Sequence, residues 1–237
     1  MTQQIARLSE YARQFGLTLD STQCEHFDHY VRAILEAARM SSLTSLETPQ
    51  DIVDELLLDS LAGASVLRGL EGPAIDVGSG AGVPGLPLAM VDATRRFMLI
   101  DATHKKVQFI QRVVGELGLA NVEARQARAE ELGRDPACRE HFGVALAKAV
   151  SHLRVLVEWL VPLVQPGGHV LCWKGPAAPR EVEEARHALT ELGAEVEQVV
   201  PYQVPGREPR SIVVLRRITP LSNRYPRPGG QARKHPL

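Results

Sequence analysis

Up to residue 61, apolar positions recur every three or four residues; from residue 74 they gather into short continuous runs separated by helical spacing. Ile5, Leu8, Ala12 and Phe15 predict an amphipathic helix over residues 3–16, with Gly16 as its stop signal. Phe27, Tyr30, Val31, Ile34, Leu35 and Ala38 predict a second helix, with Ser21 as its N-cap. Residues 41–49 read as a loop, and Ile52, Leu56, Leu57 and Leu61 form the stripe of a third helix over 51–61. No strand pattern intervenes, so these helices are expected to cap whatever core follows.

The later runs predict seven strands. They are Ala74–Val77, Phe97–Asp101, Val122–Arg125, Val144–Ala147, His169–Lys174, Val196–Val200 with an extension toward Val204, and Ser211–Arg217. Helical patterns separate the earlier ones. Residues 104–117 turn Val107, Ile110, Val114 and Leu117 inward behind a Thr103 cap, residues 151–163 follow a Ser151 cap, and residues 180–192 close at Gly193. Only a Pro-Gly-Arg turn lies between the last two strands, so they are expected to pair antiparallel. The prediction is an α/β fold: a Rossmann-like doubly wound sheet of seven strands, last hairpin antiparallel, with an N-terminal helical cap. The expected division is a helical extension over 1–71, a core over 72–218 and a basic tail over 219–237.

Composition narrows the class without changing that picture. The chain has 237 residues, 44% hydrophobic and 23% charged, enough for one packed α/β domain with an extension. A net charge of −1 means that nucleic-acid binding must come from local patches. Met1-Thr2-Gln3-Gln4 has no basic region leading into an apolar core, so no leader peptide is expected. No apolar run reaches transmembrane length. Cys24, Cys138 and Cys172 are far apart and odd in number, which reads as reduced thiols in a cytosolic protein. His26 and His29 share a helix face but lack further ligands, so no metal site is expected.

The chemistry begins where the first strand ends. Asp76-Val77-Gly78-Ser79-Gly80-Ala81-Gly82-Val83-Pro84-Gly85-Leu86-Pro87-Leu88 reads as strand, glycine turn and helix start. Glycines let the backbone approach a ligand, and the helix start faces it with unpaired N–H groups. The spacing is G-x-G-x-G, with Val83 where a dinucleotide loop has its last glycine, and the Gly-Lys-Ser/Thr of a phosphate loop is absent. With Asp76 two residues ahead, the pattern resembles motif I of class I S-adenosylmethionine (SAM) methyltransferases, whose donor carries a cationic amine. Asp101, at the end of the second strand, lies where a ribose is bound in such sheets, and also beside a helix N-terminus. After the third strand, Ala129 and Glu130 lie in the loop that approaches the adenine, or simply open a solvated helix.

Longer stretches carry a closer likeness. The loop from Asp76 to Leu88, Asp101 to Val107, Ala127 to Glu131, Lys174-Gly175-Pro176, the tail Tyr225 to Gly230 and the ending Lys234-His235-Pro236-Leu237 together resemble the ribosomal RNA small subunit methyltransferase G family. Leu43-Thr44 and Leu58-Asp59-Ser60-Leu61 are similar to its N-terminal signature. The resemblance implies methyl transfer from SAM to N7 of a guanine in 16S rRNA, by a cytoplasmic monomer acting on the small subunit or its assembly intermediate. It implies cofactor contacts at Gly78, Val83, Asp101, Ala102, Thr103, Ala129 and Glu130, to which the loop pattern adds Asp76, Gly80 and Gly82; Lys148 is a candidate for either the cofactor or the target. Two positions depart from the family: Lys148 stands where an Arg is common, and Leu56 where a His precedes the Leu-Asp-Ser run.

Guanine N7 has a lone pair and no proton to lose, so alignment suffices and no acid–base dyad is sought. Lys148 and Lys174 are candidates at the target site. A base must leave its stack to reach a buried methyl, and from Gly206 onward eight Arg or Lys residues oppose the single acid Glu208. Lys105, Lys106, Arg224, Arg227 and Lys234 are therefore candidate RNA contacts, with Tyr225 as a stacking platform. The same segment equally suits a solvated arm lying on the body. Trp159 and Trp173 read as core. Two other functions share the glycine loop: methylation of a small molecule or protein, and a non-enzymatic nucleotide-binding module.

Overall fold

In the computed structural model the apolar runs assemble into one seven-stranded sheet. Its strands are β1 (Ala74–Val77), β2 (Phe97–Asp101), β3 (Val122–Gln126), β4 (Phe142–Lys148), β5 (Val164–Lys174), β6 (Ala194–Tyr202) and β7 (Arg210–Arg217). The spatial order is β3-β2-β1-β4-β5-β7-β6. The first five pair in parallel, and β7 runs antiparallel to both β5 and β6. This is the doubly wound sheet with a terminal antiparallel hairpin that the pattern predicts. The structure describes residues 2–40 and 43–237; Met1, and Ser41 and Ser42 of the expected loop, lie outside them.

Burial explains which strands were easy to read. Every residue of β1 is buried, and all of β4 but Lys148. Parallel strands covered on both faces appear as continuous apolar runs. β3 and β6 lie at the edges and are largely exposed. β5 starts five residues earlier than predicted: its opening, Val164-Gln165-Pro166-Gly167-Gly168, has the composition of a turn and forms an irregularity in the ladder with β4, Gly167 having a φ of 79°. One face of the sheet is covered by the N-terminal helices together with Gly85–Val91 and His104–Leu117. The other is covered by Leu153–Leu160, Ala178–Glu184 and Arg186–Glu191.

The N-terminal helices form as predicted, with different ends. Gln3–Ala12 tightens into a 3-10 turn and stops at Gly16, whose φ is 70°. Ser21–Met40 is capped by Asp20, not Ser21: Asp20 Oδ1 accepts the Gln23 N–H at 2.8 Å, and Gln23 Oε1 accepts the Asp20 N–H at 3.1 Å. The third stripe runs through Pro49–Ile52, a π-helical stretch Val53–Leu58 and Asp59–Leu61. Thr103 makes no side-chain cap. Ser151 lies outside the next helix, where Glu181 Oε2 accepts the Leu153 N–H at 2.8 Å. The expected 180–192 helix begins at Ala178 and breaks at Ala185. Among the described residues no helix is long and apolar enough to cross a membrane.

The buried Tyr30 ties this cap to the chemistry. Its hydroxyl donates to the Ala81 carbonyl at 2.6 Å, so the helix Ser21–Met40 holds the glycine turn directly.

Candidate functional site

β1 and β4 are neighbours from which the chain winds outward in opposite directions, so a crevice opens at their C-terminal ends. The glycine turn enters that crevice. Gly78, with φ of 74°, and Ser79 donate their N–H groups to the Ile100 carbonyl at 2.8 and 3.0 Å. Gly80 donates to Asp101 Oδ2 at 3.1 Å, and the Thr103 N–H to Asp101 Oδ1 at 2.8 Å. Asp101 is thus oriented by two backbone groups, with Lys106 3.8 Å away. A Cβ on Gly78 would lie 2.9 Å from Val150 Cγ2.

A cavity of about 450 Å³ lies against this turn. Of the predicted cofactor residues, Gly78, Asp101, Ala102, Ala129 and Glu130 line it, and Lys106 and Lys234 from the RNA set reach its rim. Val150, Trp159 and Arg233 line it too, and the sequence reading did not put them there. Trp159 corrects an expectation: it is half-buried at the cavity wall rather than core, and its buried Nε1 has no hydrogen-bond partner. A buried donor without an acceptor is rare in finished proteins. Glycines that leave no room for a side chain, an oriented carboxylate at the end of β2 and an unpartnered indole N–H together fit an adenosine-bearing ligand such as SAM.

The remaining predicted cofactor residues do not line this cavity. Gly80, Gly82 and Val83 build the turn behind it: the Gly82 and Val83 N–H groups both donate to the Ser79 carbonyl, and a Cβ on Gly82 would lie 3.0 Å from the Tyr30 hydroxyl. Thr103 contributes its backbone to Asp101. Asp76 is fully buried beneath the loop, where its Oδ2 accepts the Gly85 N–H at 2.8 Å and its Oδ1 has no partner. It braces the turn from below and does not line the cavity.

Burial pushes the Asp76 carboxyl up to about 7, against the Gly85 N–H, Ser79 and Lys148, which favour the anion. The folded state therefore keeps a proton that the unfolded chain releases near pH 4. The stability this group contributes is fully present at low pH, falls as pH rises from about 4 to about 7, and is gone above that. Asp76→Asn keeps an acceptor for Gly85 and removes the titration. Urea denaturation at pH 5 and pH 8 should show the variant losing less stability across that interval than the parent protein; equal losses would clear Asp76 of this role.

A second and larger cavity, about 1070 Å³, lies on the other side of Ala149 and Val150, which line both. Ala149 has a φ of 55°, an uncommon conformation for a residue with a side chain, at the wall between the two spaces. Lys148 and Lys174 line the larger cavity and not the smaller, which sets Lys148 apart from the other predicted cofactor residues. Both are already engaged. Lys148 Nζ is 2.8 Å from Asp59 Oδ2 and donates to the Glu55 carbonyl at 2.8 Å. Lys174 Nζ contacts Glu181 Oε2 and the Ser151 carbonyl, each at 2.7 Å.

Asp59 is the hub that the sequence reading missed. Its Oδ1 accepts from Tyr202 Oη at 2.5 Å and Arg210 at 2.8 Å, and its carbonyl accepts the Trp173 Nε1–H at 2.8 Å. Arg210 also pairs with Glu55 at 2.5 Å, and Arg207 joins Glu55 to Asp51. The π-helical stretch and its continuation thereby aim Glu55 and Asp59 at the loop between β6 and β7. Such stretches recur at functional sites. The Leu58-Asp59-Ser60-Leu61 signature was the one available signal. Leu56 lines neither cavity.

The tail differs most from expectation. Tyr225 is 1% exposed and its hydroxyl donates to Glu191 Oε2 at 3.0 Å, so no base can stack on it. Arg227 is locked on the fully buried Glu158, with contacts of 2.6 to 3.1 Å from its guanidinium and 2.8 Å from its backbone N–H. These two residues anchor the tail and are corrected from RNA contacts to structural ones. Arg224 lies over the Tyr225 ring at 4.7 Å and, like Lys105 and Lys234, is exposed.

Comparison with known proteins agrees with this geometry. The model of the family described as rRNA small subunit methyltransferase G matches residues 23–212. The chain is 39% identical to the ribosomal RNA small subunit methyltransferase G of Roseiflexus castenholzii over 97% of this chain and 98% of that one. It is 35% identical to that of Pelotomaculum thermopropionicum over 97% of each. Among solved structures, a SAM-dependent methyltransferase from Aquifex aeolicus superposes with a TM-score of 0.53 at 22% identity, covering 74% of this chain and 97% of that one, which bears on the fold alone. The chain belongs to the rRNA small subunit methyltransferase G family.

Proposed function

We propose that this protein transfers a methyl group from SAM to N7 of one guanine in the 16S rRNA of the small ribosomal subunit, as a cytoplasmic monomer. Family membership supports the reaction class. The single observation that carries the reading is the pair of cavities meeting at Ala149 and Val150. On this reading residues 72–218 bind the donor, while residues 1–71 and 219–237 close the site from two sides.

SAM supplies a methyl already activated on a cationic sulfur. The chain's own part is to orient and exclude. Asp101 accepts from the ribose hydroxyls, and the backbone of Ala129 and Glu130 meets the adenine. Ala149 and Val150 set the depth to which a guanine approaches. Held there, SAM would supply the methyl group with its sulfur keeping the carbon–sulfur electron pair, and the chain's residues would have no proton to move. The carboxylates Glu55, Asp59 and Glu181 at the acceptor cavity are tied up by Arg or Lys, which suits a reaction without a general base. Holding two reactants in line is worth up to about 7–11 kcal/mol of barrier.

Radiolabelled SAM and small subunits from a strain lacking the modification provide the test. Label should enter one guanine and render that site cleavable by borohydride and aniline. Label only in protein or small molecules would exclude the reading. Naked rRNA, assembly intermediates and finished subunits assayed side by side identify the substrate form.

A further inference from the structure

We infer that the larger cavity receives a nucleotide extruded from the RNA, and that Arg154 and Arg233 bind its flanking phosphates. The inference rests on the function proposed above and names the contacts that would hold its substrate.

The cations around this cavity divide into two sets. Lys148, Lys174, Arg207 and Arg210 face it, and each is held by a carboxylate of the protein. A phosphate that drew Arg210 or Lys148 away would cost Asp59, whose side chain is 3% exposed, one of its two counter-charges. These four already have carboxylate partners, although sequence alone counts them as free basic residues. Arg154 and Arg233 make up the second set. Both line the cavity, both are exposed, and neither side chain makes an ion pair or hydrogen bond among the described residues. Moving them onto phosphate breaks nothing inside the protein and releases counterions from the RNA.

Their positions suit a clamp. Arg154 belongs to the helix Leu153–Leu160 that follows β4, and Arg233 to the last short helix, Gln231–Lys234. The two therefore reach one cavity from elements far apart in the chain. Arg233 lines the smaller cavity as well, so it stands at the junction that the reacting atoms must share. At about 1070 Å³ the larger space is at the top of the range for small-molecule pockets, with room for a base, its sugar and adjoining phosphates. Extrusion is the route by which enzymes reach a stacked base.

The experiment uses the full chain and small-subunit RNA from the unmodified strain. Arg154→Gln, Arg233→Gln and the double variant are compared with the parent and with Arg186→Ala, a surface cation lining neither cavity. Affinity is measured over a salt series. Each single variant should flatten the slope of log affinity against log salt by about 1, and the double variant by about 2. Initial methylation rates at limiting RNA should fall in parallel. Calorimetric affinity for S-adenosylhomocysteine should stay within about twofold, and Arg186→Ala should match the parent throughout. Unchanged slopes in the two single variants overturn the inference. Loss of S-adenosylhomocysteine affinity in Arg233→Gln with the slope intact also overturns it, because Arg233 would then serve the donor's carboxylate. A parent protein that neither binds nor methylates small-subunit RNA removes the proposed function first, which separates the two failures.

Discussion

Gly78→Asp should abolish donor binding while leaving a folded protein. The residue has a φ of 74°, which favours glycine over any residue with a side chain. The new Cβ would lie 2.9 and 3.2 Å from the two methyls of Val150, so either the turn or the wall between the cavities must move. The added carboxylate would also share a cavity with Asp101. A ribose site depends on that acid accepting hydrogen bonds at a fixed place, and a second negative charge beside it both crowds and repels. The expected loss exceeds 100-fold in SAM affinity by calorimetry, corresponding to about 3 kcal/mol or more. Gly78→Ala, which adds the clash without the charge, should lose roughly a tenth of that factor. Circular dichroism and urea midpoints distinguish loss of the site from loss of the fold. Parent-like affinity in Gly78→Asp would remove the glycine turn from the donor site.

Arg227→Ala should be the most destabilising change in the tail. Glu158 is fully buried on the helix Leu153–Leu160, and Arg227 supplies its counter-charge at 2.6 Å. Without it the carboxylate must stay buried and unpaired or take up a proton. Breaking a buried pair by removing one partner costs about 3–5 kcal/mol. Arg227→Lys keeps the charge but loses the planar fork that contacts both oxygens, so its loss should be smaller. Arg227→Ala combined with Glu158→Gln should recover part of the stability, because no charge is then stranded. Urea denaturation of the four proteins measures each step. A loss below about 1 kcal/mol for Arg227→Ala would mean that the tail merely rests on the body.

How far the sequence could be read follows from which interactions leave a local pattern. β1, β2 and β4 lie inside the sheet, covered on both faces, so their apolar runs mark them. The glycine turn is local too: three alternate glycines after a strand can be recognised without neighbours. Asp76 shows where locality misleads. Its spacing suggests a ligand contact, whereas the fold buries it with Oδ2 on the Gly85 N–H, a partner nine residues on that the motif alone does not reveal. The tail shows the same for charge. Arg207, Arg210 and Arg227 have their acids at Asp51, Glu55 and Glu158, far away in sequence, and a count within the segment treats them as free. Trp159 lies in an apolar run whose other members are core, and one turn of helix decides that it faces the cavity.

The Tyr30 to Ala81 hydrogen bond bears on how the protein matures on the ribosome that makes it. The helix Ser21–Met40 is synthesised early, yet its buried face packs on Gly85–Val91 and His104–Leu117, which follow later. Until they emerge, that face has only Gln3–Ala12 and Pro49–Ile52 to pack against. Domains ordinarily fold as units from the N-terminus as the chain lengthens. Here the glycine turn receives its Tyr30 contact from a helix made some fifty residues earlier. A fragment ending before Leu117 would therefore leave part of that helix's apolar face uncovered.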